Sequence, residues 1–110
     1  MLNKYDNENI ENIKRTVITV WGDNCVLGMF KQIDAPFTIF EWDMVLYGKF
    51  DVRLEYERGT LGTMVKTDEG YVGLSRLTDE EVVRGLKSCV PENMLRNFQI
   101  LDRLLEVWMQ

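Results

Sequence analysis

Along residues 40–57 of this chain, FEWDMVLYGKFDVRLEYE, apolar and polar side chains alternate in a two-residue rhythm that breaks at Val45 and at Tyr47-Gly48-Lys49. Strand side chains alternate faces, so the pattern predicts two half-buried strands joined as a hairpin. Setting Leu46 opposite Phe50 puts Met44 against Val52, Trp42 against Leu54 and Phe40 against Tyr56 on one apolar face. The other face then carries Val45 with Asp51, Asp43 with Arg53, and Glu41 with Glu55. A slip of one residue would mix the two sets, so the pairing is strongly specified, with an odd-numbered loop at the tip.

Either side of this hairpin, other segments carry weaker signals. Residues 7–15 predict a short helix with Ile10 and Ile13 on one side, and TVITVW (16–21) is β-rich. GDN (22–24) has turn chemistry, so 16–21 and CVLGMF (25–30) are expected to pair as a hairpin. Pro36 opens the strand 37–47. TLGTMVK (60–66) and YVGLSRL (71–77) predict a further hairpin around Thr67-Asp68-Glu69-Gly70, with two registers open; Gly62 and Gly73 suggest bulges or close packing over the sheet. Thr78-Asp79-Glu80-Glu81 has capping-box spacing and predicts a helix to about Ser88, with Val82, Val83 and Leu86 inward. Pro91 suits the first turn of a second helix, whose stripe runs through Met94, Phe98, Leu101, Leu105 and Trp108. The expected architecture is one compact α+β domain over 1–110. It comprises an antiparallel sheet of about six strands in meander and hairpins, a short N-terminal helix and two C-terminal helices, mainly on one face.

Composition narrows the function. The chain has 110 residues, 45% hydrophobic and 28% charged, enough for a core of its own. Thirteen Lys and Arg against eighteen Asp and Glu give a net charge of −5. That balance argues against direct nucleic-acid binding, which needs a cationic footprint, and mildly favours a cationic partner. The polar N-terminus is no signal peptide and no apolar run is long enough to span a membrane, so a cytoplasmic chain is expected. Cys25 and Cys89 lack metal-ligand spacing and are expected to be reduced.

Histidine is absent, which removes Ser-His-Asp and Cys-His chemistry and the commonest zinc ligand. No glycine spacing matches a phosphate or dinucleotide loop. Carboxylate-only catalysis by Asp43 with Glu55, or Asp51 with Glu57, stays arithmetically open, but charges at every second strand position more often form a solvated face. No enzyme activity, cofactor or metal is therefore expected.

In size, acidity and layout the chain resembles the small immunity proteins of contact-dependent growth inhibition and related polymorphic toxin systems. The strand pair FTIFEWDMVLYGKFDVRLEYERG and the hairpin TMVKTDEGYVGLS carry the likeness. The resemblance implies a bacterial antidote that binds one cognate toxin domain and blocks its active site or substrate path. A nuclease, basic because it binds phosphates, is the expected target. The expected contact surface is Glu41, Asp43, Asp51, Glu55 and Glu57, with Asp68 and Glu69 at the neighbouring turn and Tyr47 at the hairpin tip as an aromatic anchor. The alternatives are a DNA mimic that blocks a DNA-processing enzyme, and a structural subunit that uses the Trp108 helix as an oligomer seam.

Overall fold

A computed structural model describes residues 2–33 and 38–110. The elements are α1 (Lys4–Trp21), β1 (Cys25–Gln32), β2 (Phe40–Leu46), β3 (Phe50–Glu57), β4 (Thr60–Thr67), β5 (Gly70–Gly73) and α2 (Pro91–Met109). The strands form one antiparallel sheet in the order β1-β2-β3-β4-β5. Both helices contribute to a core on one face: Ile13, Val17 and Trp21 from α1, and Met94, Phe98, Leu101 and Leu105 from α2. They meet Phe40, Trp42, Met44, Leu46, Val52, Leu54, Tyr56, Leu61 and Val65 from the sheet. The α+β class and the helices on one face match expectation; the counts differ, with five strands among the described residues and a single long C-terminal helix.

The missing strand is TVITVW. It forms the last third of α1, because Ile13, Val17 and Trp21 recur at four-residue steps and are all buried. Each such burial is worth roughly 1.5–3 kcal/mol, whereas a β-branched residue in a helix costs only a few tenths of a kcal/mol. Thr16 and Thr19 add hydroxyl bonds back to the carbonyls of Asn12 (2.7 Å) and Arg15 (2.9 Å). The helix starts at a reciprocal cap: the Asn3 side chain accepts from the Asp6 amide at 2.7 Å, and the Asp6 carboxylate accepts from the Asn3 amide at 3.1 Å. It ends at Gly22, whose φ of +52° suits glycine. No 16–21/25–30 hairpin exists; β1 pairs with β2 instead. Pro36, expected to open that strand, lies outside the described residues.

The second correction is 78–88. Despite its capping-box spacing, this segment is irregular apart from a 3-10 turn at Gly85–Lys87, and Leu86 is 78% exposed. Glu80 is engaged elsewhere: Arg103 of α2 donates to both its carboxylate oxygens at 3.0 and 2.6 Å in an exposed pair. Buried Asn97 takes both backbone groups of Val83, accepting from its N–H and donating to its C=O at 2.9 Å each. A helix would need those groups for itself.

The central hairpin has the expected register at every pair from Leu46↔Phe50 to Phe40↔Tyr56, with a three-residue tip. The next hairpin resolves as Thr67↔Gly70 and Met64↔Gly73. Gly62 and Gly73 sit in regular ladders rather than bulges; the irregularity lies in β1 between Leu27 and Phe30. There Gly28 is the tight position, since a Cβ would stand 3.3 Å from the Asp43 carbonyl oxygen.

Candidate functional site

The helices cover one face of the sheet and leave the other open. The register places Glu41, Asp43 and Val45 of β2, Asp51, Arg53, Glu55 and Glu57 of β3, Gly62, Met64 and Lys66 of β4, and Tyr71 of β5 on this outer face. All five acids expected there from the alternation are there, because the period of two leaves no choice once Phe40–Leu46 is buried. Asp68 and Glu69 occupy the exposed β4–β5 turn, where the Thr67 hydroxyl accepts from the Glu69 amide at 3.1 Å.

A preassembled group occupies the middle of the face. Arg53 donates to Asp43 through Nε at 2.8 Å and through a second nitrogen at 3.4 Å. Its guanidinium lies over the Tyr71 ring at 4.2 Å from the centroid. Burial, and next to it the Asp43 charge, raises the Tyr71 phenol above its ordinary range. The arginine is thus held flat by a carboxylate on one side and an aromatic face on the other, with Met64 opposite it on β4.

Beside this group stand Glu41, Glu55 and Glu57. Glu41 and Glu55 face each other across β2 and β3, and Glu57 follows two residues on. The ion pairs of the described residues are Lys14–Glu11, Arg53–Asp43, Arg58–Asp6 and Arg103–Glu80, so none of them includes this triplet, although Lys31 of β1 stands opposite Glu41 in the ladder. The Glu55 carboxyl is pushed above its ordinary range, first by burial and then by Glu41, with Glu57 adding to it against the lowering pull of Arg53. The acids run along the strands rather than converging; among the described residues no group of three His, Cys, Asp or Glu is placed to hold a metal ion.

Tyr47 stands apart from this face. It adopts φ +57°, its amide donates to the Asn24 carbonyl at 2.7 Å, and its hydroxyl donates to Asp102 of α2. Trp21 Nε1 donates to the same carboxylate oxygen at 2.9 Å. Burial first, then Asp102, pushes the Tyr47 phenol up to about 12. Alternation cannot be extrapolated through a turn: positive φ swings the side chain towards the helices, so Tyr47 belongs to a brace between the hairpin tip, α1 and α2. The aromatic of the outer face is Tyr71. Its partner Arg53 was legible from the Asp43↔Arg53 pairing, but its stack on Tyr71 needed the β4–β5 register.

The two thiols are free. Burial raises both to about 11, and Cys25 Sγ lies 3.7 Å from the Met44 sulfur. Among the described residues no helix is long and apolar enough to cross a membrane. No family model, curated protein or solved structure matches the chain.

Proposed function

We propose that this chain is an antidote: a cytoplasmic immunity protein that binds a basic toxin domain, a nuclease being the expected class, through the outer face of its sheet. The observation that carries the reading is the uncovered face itself, where Glu41, Glu55 and Glu57, in no ion pair among the described residues, border the fixed Asp43–Arg53–Tyr71 group. An arginine and a tyrosine already immobilised lose little entropy on binding, and such residues dominate interface energetics. The acids supply the complementary field that speeds encounter with a cationic surface and disfavours neutral or acidic partners. Crowding that raises Glu55 is relieved when a partner's cation arrives, so a cost carried by the free protein becomes affinity in the complex. Asp51, Asp68 and Glu69 extend the negative field towards the β5 side. No step of this function calls for catalysis, a cofactor or a metal.

The test uses two baits in extracts of the native host, the wild-type chain and the Glu41→Lys/Glu55→Lys double variant, both washed at high salt. The expected result is a protein domain held by the wild type and released by the variant. That domain alone should arrest growth when expressed, and co-expression of the wild-type chain should relieve the arrest. A captured domain whose toxicity both forms relieve equally removes this face from the site. Capture of a DNA-processing enzyme displaced by duplex DNA replaces the antidote reading with mimicry.

A further inference from the structure

The two edges of the sheet differ. On one side the edge strand β5 is four residues long and turns off at Gly73 into a 3-10 turn. On the other side β1 runs for eight residues, Cys25–Gln32, and pairs with β2 alone among the described residues. Its second row of backbone N–H and C=O groups faces outward, and an extended strand is the partner that satisfies such a row. Residues 28–32 are all exposed, and Val26 and Met29 are 64% and 70% exposed. Phe30, packed on Phe40 and Trp42 at 4.7 and 5.2 Å between centroids, carries the inner apolar layer out to this edge.

We infer that β1 pairs antiparallel with β1 of a second copy of this chain, about a two-fold axis normal to the sheet, so that the two sheets become one. The bulge in β1 points to this partner. Pairing Cys25–Gln32 with itself over its full length sets residue 25 opposite 32, 26 opposite 31 and 27 opposite 30. In an unbroken strand those partners would face opposite sides of the sheet, because each pair differs by an odd number. Here the ladder to β2 slips by one residue between Leu27 and Phe30, at the midpoint of the strand. Cys25, Leu27, Phe30 and Gln32 therefore all stand opposite inward residues of β2, while Val26 and Lys31 stand opposite outward Val45 and Glu41. Leu27 of one copy then meets Phe30 of the other on the inner side, and Val26 meets Lys31 on the outer side. Outward-pointing backbone groups alternate with the same period, so the same register matches them. A regular foreign strand would have to absorb the slip, whereas a second β1 carries it already, which is the self-complementarity that a two-fold interface requires. A bulge and a lysine commonly blunt an edge; in this pairing the bulge is shared and Lys31 faces Val26 rather than a like charge.

Charge permits the contact. The chain carries −5, but β1 holds no acid. A two-fold axis normal to the sheet leaves the two acidic faces on the same side, with both β1 strands between them. β2 and its copy are then three strand spacings apart, about 14 Å, which exceeds the Debye length of about 8 Å at physiological salt. Repulsion between the two faces is therefore largely screened. The inference stands independently of the antidote reading, since Glu41, Glu55 and Glu57 all lie on β2 and β3.

The test is sedimentation equilibrium of the full chain, which should rise with concentration from the mass of one chain to that of two. Hydrogen exchange of the wild type should slow across 25–32 over the same range and stay unchanged at β5. Two variants at exposed Val26 check the register. Val26→Glu sets an acid opposite Lys31 of the other copy, Val26→Lys sets a like charge there, and the two-fold axis doubles either effect. The dissociation constants should differ on the order of tenfold, with Val26→Lys the weaker. Net charge alone predicts the reverse order, because Val26→Lys makes the chain less negative. If either variant fails to fold, the exchange pattern of the wild type decides. A single-chain mass up to about 1 mM, a dimer whose protection lies outside β1, or equal or reversed affinities of the two variants overturns the inference.

Discussion

Replacing Tyr56 by phenylalanine deletes one oxygen atom from the interior and leaves the surrounding apolar packing intact, including the stack on Phe40 at 4.6 Å between centroids. That oxygen joins α1 to β3. It donates to Asp6 Oδ1 and accepts from Asn9 Nδ2, each at 2.8 Å. All three residues are buried, Tyr56 and Asp6 at 0% exposure and Asn9 at 5%. A hydrogen bond to a carboxylate contributes about 1.5–3 kcal/mol and a neutral one about 1 kcal/mol, and stranded buried partners push the cost towards the upper end. The expected destabilisation is about 3–4 kcal/mol, a large share of the roughly 5–15 kcal/mol typical of a domain. Urea unfolding should show a midpoint lower by about 1.5–2 M at an m-value near 2 kcal/mol/M, with m unchanged. A double-mutant cycle with Asn9→Ala should return a coupling of about 0.5–3 kcal/mol, as expected for groups in one network. A loss below about 1 kcal/mol with unchanged m would refute the reasoning, because the network would then not hold α1 to the sheet.

Three further outcomes follow from the same contacts. Glu55→Gln should stabilise the free protein at neutral pH by about 0.2–1 kcal/mol, the range for relieving like charges across a strand pair. Because the folded Glu55 pKa is raised, that gain should vanish below pH 4.5, where the carboxyl is already protonated, and thermal melts at the two pH values check it. The same variant should bind the partner more slowly, so stability and binding move in opposite directions. Tyr47 and Tyr56 are both held near 12 in the fold against an ordinary 10.0, so their stabilising contribution is complete below pH 10 and is lost as pH rises through 12. Alkaline unfolding followed by phenolate absorbance should therefore show tyrosine ionisation tracking loss of structure. Asn97→Ala removes both bonds to Val83, and hydrogen exchange should accelerate across 82–88 while the central hairpin keeps its protection.

The sequence alone determined the central hairpin, its register and the composition of its two faces. A strict period of two permits one burial choice, and every pair from Phe40↔Tyr56 to Leu46↔Phe50 follows from it. The long α2 was equally legible, since Pro91 and a stripe from Met94 to Leu105 are local signals. Where local signals competed, only tertiary structure decided. TVITVW has strand propensity, but its helical period reaches a buried destination, and burial outweighs propensity. Residues 78–81 have a helix-start pattern, but Arg103 and Asn97, far along the chain, claim Glu80 and Val83. The acidic residues of the outer face were visible as alternation, whereas Tyr71 came to Arg53 only through the β4–β5 register, and Tyr47 left that face because its positive φ and Asp102 turn it inward. Periodicity fixes which side of an element is buried; it carries no information about which distant side chain will take a given polar group, and that choice is made when the elements pack.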